Sequence, residues 1–342
     1  MPLDVKSLFQ RSRAAAPAAR LEDFGFAELR GGGSRVTIVP ALGGKIAHLE
    51  LGGRQWLWTN DAIPYTLPDE SAPYVETADT GGYDECFPTV GACRVPTWIR
   101  GFGGAQLPDR GELWSQTPAI DVRTSPDGQT ATTTWTGKRM PYRFSRIIRI
   151  TPSGDVEFEY EATNTGTERV PFVWSAQPML PLTSTTRIEL AAATRMHVYA
   201  QHEIALGVGA TDLRWPMIRS SGRLLDMSNP FAVAKKYACK LFLEMREGHA
   251  AVIEDGVRLE VSFAVDEIPN FGLWINRGGW TPPLKRAKAY SNFAFAPCIG
   301  APDTLEDALG AWKSAHWLDA GRTRRWSLRW RATPAQTESA DA

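Results

Sequence analysis

Cysteine and histidine are scarce in this chain of 342 residues, which has four of the first and five of the second. No two cysteines form a Cys-x-x-Cys pair, and the histidines are too scattered for a zinc pattern. So few cysteines in so long a chain do not make a disulfide scaffold. We therefore expect no metal site, and free thiols in a reducing cytoplasm.

An excess of charge and a long apolar run are also missing. The 38 basic side chains balance the 38 acidic ones, which gives a net charge of +0. That balance does not favour nucleic acid or an anionic membrane as a partner. No apolar run approaches the ~20 residues of a membrane helix, and residues 1–6 lack the apolar core of a signal peptide. We expect neither nucleic acid nor membrane as a partner.

Strand patterns dominate what is present. Residues 155–161 alternate acidic and apolar side chains, and residues 257–265 and 325–330 alternate with the same period of two. This period predicts strands with one packed face and one face in water. Asp255-Gly256, which stands between two strand-like runs, predicts a hairpin.

Helix patterns are few, and the best one runs from Asp303 to Trp312. Asp303 is expected to cap the first turn, with Glu306 three residues further on. Many strands, regular turns and little helix indicate an all-β fold of large antiparallel sheets packed face to face as a β-sandwich with few short helices.

Two adjacent acids, Asp84 and Glu85, stand in the segment 81–90 between Gly-Gly and Pro88. Gly-Gly and Pro interrupt regular structure, so the segment is expected to be a bent strand end or a loop. Acids on such a segment can accept hydrogen bonds from polyols, or one of them can act as a base. A structural pairing with a nearby arginine remains the alternative.

Tryptophan is abundant, with 13 residues. An indole stacks well on the C–H face of a pyranose, and its N–H can donate a hydrogen bond. Trp274 and Trp280 bracket Asn276 and Arg277 on a Gly-Gly loop, so we predict a sugar site there. A loop whose arginine makes a surface salt bridge is an equal alternative.

Several segments occur in the order found in a known family, namely residues 40–46, 81–90, 109–114, 164–166, 171–178, 271–280 and 297–303. Together they resemble the aldose 1-epimerase-like proteins of the galactose mutarotase-like superfamily. The resemblance implies a supersandwich of large antiparallel sheets with a sugar cleft on one face. It also implies a single mutarotase-like β-sandwich domain over residues 35–332, after a leader and first strand over 1–34 and before a disordered tail over 333–342.

The reaction of that family interconverts the α and β anomers of an aldose without a metal or cofactor. A base takes the proton of the anomeric hydroxyl while an acid protonates the ring oxygen, and the ring opens. The resemblance places Gln177 where the family has its histidine acid and Ala296 where it has its glutamate base. Gln177 cannot transfer a proton at neutral pH, and Ala296 has no functional group.

The candidate catalytic residues that remain are Glu85, as the first choice of base, and Glu112. The candidate sugar-binding residues are Asp84, Arg110, Gln177, Trp274, Asn276, Arg277 and Trp280. Arg110 replaces a sugar-contacting histidine of the family, so it is a partner for an anionic sugar or for Asp109 or Glu112. No histidine falls on a family motif, although an acid role for His197 or His202 stays open.

Three functions follow from these residues. The first is a mutarotase-like isomerase with rearranged acid and base groups, and the second is a non-catalytic sugar-binding pseudoenzyme or sensor. The third is another sugar reaction on the same scaffold, a lyase or hydrolase that uses Tyr83, Glu85 and Arg110. In each case the partner is a monosaccharide or sugar derivative, and the oligomeric state is left open.

Overall fold

A computed structural model describes residues 19–126, 128–208, 212–282 and 288–335. These residues form 25 strands and three short α-helices, and two 3₁₀ turns cover Leu21–Phe24 and Pro40–Leu42. The predominance of strands confirms the predicted all-β class.

The helices are α1 (Tyr74–Thr77), α2 (Pro230–Val233) and α3 (Leu305–Leu309). The strands are β1 (Ala27–Gly31), β2 (Ser34–Val39), β3 (Lys45–Leu51), β4 (Arg54–Gln55), β5 (Tyr83–Cys86), β6 (Cys93–Arg94), β7 (Gln106–Leu107), β8 (Ala119–Ser125), β9 (Gly128–Thr136), β10 (Tyr142–Ile150), β11 (Val156–Asn164), β12 (Val170–Phe172), β13 (Trp174–Pro181), β14 (Arg187–Glu189), β15 (Arg195–His202), β16 (Leu213–Arg214), β17 (Met217–Ser220), β18 (Arg223–Asp226), β19 (Tyr237–Glu244), β20 (His249–Glu254), β21 (Val257–Phe263), β22 (Asn270–Arg277), β23 (Ser291–Ile299), β24 (His316–Leu318) and β25 (Thr323–Pro334).

Two large sheets make up most of the structure. The broad sheet has 11 strands in the order β1-β2-β3-β5-β13-β23-β22-β19-β15-β16, with β4 beside β3. The narrow sheet has eight strands in the order β14-β20-β21-β25-β11-β10-β9-β8. Neighbouring strands in both sheets pair antiparallel, as expected for the predicted sandwich.

The alternating segments form strands as predicted. In β11, Val156, Phe158 and Tyr160 are buried while the glutamates between them point to the other face. The predicted hairpin joins β20 to β21, and both Asp255 (φ 49°) and Gly256 (φ 77°) adopt left-handed backbone angles. A two-residue hairpin turn of type I′ requires this conformation at both central positions.

The sheets pack through a layer of aromatic side chains. Tyr83 of the broad sheet stacks on Phe158 of the narrow sheet, with ring centroids 5.5 Å apart. Trp174 of the broad sheet lies 4.8 Å from Tyr160 and 5.2 Å from Trp326 of the narrow sheet. The face of the broad sheet that carries Tyr83 and Trp174 therefore belongs to the core.

One ion pair lies inside this core, between Glu85 of the broad sheet and Arg146 of the narrow sheet. Their closest nitrogen and oxygen atoms are 3.5 Å apart, and both side chains are buried. Glu85 also accepts hydrogen bonds from the Tyr160 hydroxyl and the Trp174 indole, each at 2.9 Å. Arg146 donates to the carbonyl of Gly44 at 2.6 Å.

The termini of the sandwich differ slightly from the predicted boundaries. Strand β1 pairs with β2 from Ala27↔Ile38 to Gly31↔Ser34, so the first strand is part of the broad sheet. Strand β25 continues to Pro334. Residues 1–18 of the predicted leader and 336–342 of the predicted tail lie outside the described residues.

The predicted helix cap was wrong. Helix α3 covers Leu305–Leu309, and its cap is Thr304, whose hydroxyl accepts a hydrogen bond from the Asp307 amide at 3.0 Å. The Asp303 carboxylate instead pairs with Lys240 of β19 and is therefore not free to cap the helix. Within the described ranges, no helix has the length and apolar character needed to cross a membrane.

We predict that Glu85→Gln destabilises the fold by about 3–5 kcal/mol above neutral pH, where the Glu85 carboxyl with its pKa of about 7 is ionised, because the variant leaves the buried guanidinium of Arg146 without its counter-charge. Urea unfolding followed by tryptophan fluorescence measures this loss. The matched control is Glu157→Gln, which removes a partly exposed ion pair with Arg329 on the narrow sheet. It should cost about 1 kcal/mol or less, and equal losses in the two variants would contradict the prediction.

Candidate functional site

A cavity of about 240 Å³ opens on the face of the broad sheet that points away from the narrow sheet. Side chains of a strand alternate between faces, so Gln177 and Met179 lie on the face opposite to Trp174 and Ala176. Five neighbouring strands contribute to the cavity, from β13 through β23, β22 and β19 to β15. The lining residues on these strands are Gln177, Met179, Asn292, Ala294, Trp274, Lys240, Ala200 and His202, and the walls come from Val75, Asp79, Val90, Gly91, Asp109, Arg110, Trp280, Tyr290 and Asp303.

Four predicted sugar-binding residues meet in this cavity, namely Arg110, Gln177, Trp274 and Trp280. Arg110 Nη1 donates to Gln177 Oε1 at 2.9 Å, and Gln177 Nε2 donates to the Ser175 hydroxyl at 2.8 Å. The guanidinium also lies 5.1 Å from the ring centroid of Tyr74. Both hydrogen-bonding groups of the Gln177 amide are therefore engaged by protein.

A tight turn holds Arg110 over the sheet. Arg110 and Gly111 have left-handed φ angles of 62° and 70°. A Cβ atom at position 111 would lie 2.3 Å from the carbonyl oxygen of Phe87, so only glycine fits there. The amide of Arg110 donates to the carbonyl of Val90 at 2.7 Å, which fixes the wall of the cavity against the segment after β5.

The two indoles form a corner of the cavity. The rings of Trp274 and Trp280 are nearly perpendicular, at 87°, with centroids 6.0 Å apart. Asn276 holds the loop between them, because its Oδ1 accepts from the amides of Gly279 and Trp280 at 3.0 and 3.1 Å. Its Nδ2 donates to the carbonyl of Trp280 at 2.9 Å. The structure therefore assigns Asn276 a positioning role, whereas we expected a sugar contact.

Arg277 does not line the cavity either. Its guanidinium stacks on the ring of Phe231, 3.7 Å from the centroid, and donates to the carbonyls of Phe231 and Ala234. These contacts tie β22 to helix α2. Arg277 is therefore not placed to contact a sugar in the cavity. Its contacts are also not the surface salt bridge that we considered as the alternative.

The two glutamates expected to be catalytic lie outside the cavity. Glu85 is part of strand β5 and faces the core, where it pairs with Arg146. Burial raises the pKa of its carboxyl to about 7, although Arg146 and the bonds from Tyr160 and Trp174 oppose the rise. Glu112 is fully buried and accepts from the Tyr142 hydroxyl at 2.9 Å and from Arg139 at 3.1 Å. Neither position fits a base that contacts a ligand.

Asp84 lies on the same face of the sheet as Gln177, its partner across β5 and β13. It lines a smaller neighbouring hollow, where Lys45 Nζ lies 2.5 Å from its carboxylate and the Tyr74 hydroxyl donates to it. The ring of Tyr74 lies between this hollow and Arg110. Asp84 therefore helps to fix Tyr74, and its expected sugar contact does not fit this position.

Three charged residues of the cavity were not among the predicted site residues, namely Asp79, Lys240 and Asp303, the last of which was expected to cap a helix. Asp79 is 8 % exposed, and burial raises the pKa of its carboxyl against the opposing charges of Arg110 and Lys45. Lys240 forms an ion pair with Asp303, and their side chains are 11 % and 19 % exposed. Together with Asp109, the cavity thus contains three carboxyl groups, of which one is desolvated and one lies beside an ammonium.

Asn292 is a further residue that the sequence analysis did not single out. It lines the cavity on β23 and is only 1 % exposed. Neither its amide nitrogen nor its amide oxygen has a hydrogen-bond partner among the described residues. An unpaired buried amide costs about 1–3 kcal/mol, so a ligand that bonds to it recovers part of that energy.

The other residues with an open role lie as follows. Ala296 pairs with Gly272 on the cavity side of β23 and is buried, two residues from Ala294. His202 lines the cavity from β15, whereas His197 on the same strand pairs with Glu244 at 2.7 Å.

Comparison with solved structures identifies this architecture. No family model matches the sequence, and no curated protein sequence matches it. A galactose mutarotase-like protein from Clostridium acetobutylicum superposes with a TM-score of 0.62 over 92 % of this chain and 97 % of its own, at 10 % identity. The chain has the galactose mutarotase-like fold.

Two further solved structures share this fold. An aldose 1-epimerase candidate from Escherichia coli K12 superposes with a TM-score of 0.60 at 15 % identity, over 91 % of this chain and 99 % of its own. A galactose mutarotase related enzyme from Lactobacillus acidophilus gives a TM-score of 0.57 at 13 % identity, over 93 % and 100 % of the two chains. At these identities the likeness shows the galactose mutarotase-like fold and not the activity.

We predict that Asn276→Ala loosens the loop that carries Trp280. Loss of the hydrogen bonds to Oδ1 should speed amide exchange at Gly279 and Trp280 about fivefold, because each bond contributes about 1 kcal/mol. Hydrogen–deuterium exchange resolved by NMR measures this change. The control is Asn270→Ala at the start of the same strand, which should leave both amides unchanged, and similar rates in the two variants would contradict the assigned role.

Proposed function

We propose that the cavity binds a single neutral monosaccharide and interconverts its anomers by acid and base ring opening. The observation that carries this proposal is the perpendicular pair Trp274 and Trp280 beside the amide of Asn292, which has no hydrogen-bond partner in the described part of the chain, on the open face of a galactose mutarotase-like sheet. An indole presents an apolar surface to the C–H face of a sugar ring. The amide presents a donor and an acceptor to its hydroxyl groups.

The size of the cavity favours one sugar ring. Its volume of about 240 Å³ is below the ~300–1,000 Å³ of pockets that enclose drug-sized ligands. The Trp280 loop and the Arg110 turn form walls at two sides of the sheet. An oligosaccharide would have to extend beyond these walls.

The charges of the cavity favour a neutral sugar over the anionic one considered for Arg110. Among the described lining residues, Arg110 and Lys240 carry positive charge, and Asp79, Asp109 and Asp303 carry carboxyl groups. Asp109 and Asp79 act electrostatically on Arg110, and Asp303 pairs with Lys240. Neither cation therefore needs an anionic ligand to compensate its charge.

Non-catalytic sugar binding is the second candidate function. It is favoured by Gln177, whose amide is bonded to Arg110 and Ser175, and by the buried methyl group of Ala296. Neither side chain can move a proton. A lyase or hydrolase that uses Tyr83 and Glu85 has no comparable support, because both residues lie in the core between the sheets.

A cytoplasmic location is part of the proposal. All four cysteines lie in the described residues, and each is buried and unpaired. Free thiols are the usual state in a reducing compartment.

The experiment that tests the function combines two measurements on the full-length protein. Saturation-transfer NMR with a panel of neutral aldoses measures anomer exchange, and calorimetry with the same panel measures binding. Acceleration of exchange for at least one aldose supports the proposed reaction, and saturable binding without acceleration supports the second candidate. Absence of both across the panel rejects the sugar site.

We predict that Trp274→Ala weakens binding of the tightest aldose in the panel at least tenfold, since truncation of a central aromatic contact commonly costs about 2 kcal/mol. Calorimetry measures the change. The control is Trp98→Ala, which removes an indole that is 65 % exposed in a separate surface hollow. The affinity of Trp98→Ala for the aldose should match that of the unmodified protein. Equal weakening in both variants would mean that the sugar binds elsewhere.

A further inference from the structure

We propose that Asn292 selects the sugar by its hydroxyl groups, and that its open amide lowers the stability of the free protein. The inference rests on the proposed function, because it names the residue that decides which sugars the cavity accepts. It goes further in specifying a sugar that carries two neighbouring hydroxyl groups where it meets Asn292. Removal of either hydroxyl should then weaken binding.

Asn292 lies on the floor of the cavity, in strand β23. It pairs across the sheet with Pro181 of β13 on one side and with Asn276 of β22 on the other. Cross-strand partners share one face of a sheet, and so do residues two apart in a strand, which places Ala294 on the same face. Both Asn292 and Ala294 line the cavity. The amide is therefore on the side of the sheet that a ligand approaches.

These neighbours leave the amide of Asn292 without a partner. Pro181 and Ala294 have no polar side-chain atom. Asn276 has an amide, but its Oδ1 accepts from the amides of Gly279 and Trp280, and its Nδ2 donates to the carbonyl of Trp280. Nδ2 and Oδ1 of Asn292 are both buried and have no hydrogen-bond partner in the part of the chain that the structure describes. Buried polar groups are nearly always paired in folded proteins, so this amide is an exception.

The chemistry of the amide specifies its ligand. Nδ2 donates and Oδ1 accepts, so the amide needs a ligand that offers an acceptor and a donor side by side. A carboxylate only accepts and an ammonium group only donates, so each would leave one end of the amide unpaired. Two neighbouring hydroxyl groups of a sugar ring serve both ends at once. The amide therefore favours a polyol over a charged ligand.

Trp274 lies where it can hold a sugar ring within reach of the amide. It precedes Asn276 by two residues on β22, so it is a diagonal neighbour of Asn292 on the same face. Diagonal neighbours are about 7–8 Å apart, which leaves room for a ring stacked on the indole to turn its edge toward the amide. Stacking uses the C–H face of the ring. Recognition of the hydroxyl groups at that edge is therefore left to Asn292.

The first test measures binding of the tightest aldose in the panel, and of each of its monodeoxy derivatives, by NMR titration. At least one derivative should bind the unmodified protein at least tenfold more weakly than the parent aldose, because it leaves the amide without one of its partners. Asn292→Leu should bind the parent aldose at least tenfold more weakly than the unmodified protein does, and should bind that derivative with unchanged affinity.

The matched control for binding is Asn270→Leu, at the start of β22 and outside the residues that line the cavity. It should keep both the affinity for the parent aldose and the preference over the deoxy derivative. Equal affinity of Asn292→Leu and the unmodified protein for the parent aldose would overturn the proposal. So would equal affinity of the unmodified protein for the parent and for every monodeoxy derivative.

The second test needs no ligand and measures the urea midpoint of the free protein. Asn292→Leu should raise the midpoint, because it removes two unpaired buried polar atoms and nearly keeps the volume of the side chain. Asn276→Leu, on the next strand, should lower the midpoint, because it removes three hydrogen bonds to the loop. Asn292→Val is measured as well, since its smaller side chain avoids overpacking. Lower midpoints in both Asn292 variants would mean that the amide is already paired, and would overturn the proposal.

The outcomes separate this proposal from the function beneath it. If the unmodified protein accelerates anomer exchange and Asn292→Leu binds the parent aldose equally well, the role of Asn292 is wrong and the proposed function stands. If the unmodified protein binds no aldose and accelerates no exchange, the function and the role fail together. Weaker binding with a raised midpoint in Asn292→Leu supports the proposal, because a damaged fold cannot give both results.

Discussion

The two-residue period of the broad sheet determines which side chains reach a ligand. In β13, Trp174 and Ala176 face the narrow sheet, and Gln177 and Met179 face the cavity. Because β5 pairs with β13 in register, Glu85 must face the core with Ala176 while Asp84 shares the open face with Gln177. A shift of one residue in this register would expose the ion pair of Glu85 with Arg146 and bury the cavity floor. The aromatic layer and the buried ion pair oppose such a shift.

Charge is distributed differently on the two faces. In the core, Arg146 is held by Glu85, a carbonyl and the indole of Trp135, so its charge serves packing alone. On the open face, Arg110 is held by an amide and a phenol ring, and its carboxyl neighbours make no close ion pair with it. A guanidinium held in this way keeps N–H groups that a hydroxyl can approach. The position of Arg110 thus suits a polar ligand without demanding an anion.

Local patterns in the sequence predict the fold well. The alternation in β11, β21 and β25 and the Asp255-Gly256 hairpin depend on neighbouring residues, and the structure shows both. The Gly-Gly loop predicted to carry Asn276 and Arg277 is shorter than expected, because strand β22 continues to Arg277 and only Gly278 and Gly279 turn the chain before Trp280. Gly81-Gly82 predict a bent strand end or a loop around Glu85, and the structure shows the first of these, because the two glycines absorb the bend with φ angles of 77° and 82°. The next residues are then free to form strand β5, and its pleat turns Glu85 into the core.

The remaining members of the site depend on contacts between distant segments. Lys240 and Asp303 are 63 residues apart, and no local pattern in the sequence links them. Asp79 differs from an ordinary loop acid only because other elements bury it. Asparagine is a residue type that often binds sugars, but the side-chain amide of Asn276 is hydrogen-bonded to the backbone of the loop. Only the path of the loop shows this. Cross-strand register and burial are therefore what the sequence alone could not supply.

The single amide of Asn276 makes Trp280 a rigid wall. It binds two backbone N–H groups and one carbonyl of the same short loop, so the backbone that carries the indole cannot move aside unless these bonds break. A rigid wall discriminates between sugars by shape. A sugar substituent that projects toward this corner is sterically excluded, because the loop does not move to make room for it. Replacement of the Trp280 indole by a smaller side chain would then be the most direct way to admit bulkier sugars, with the rest of the cavity unchanged.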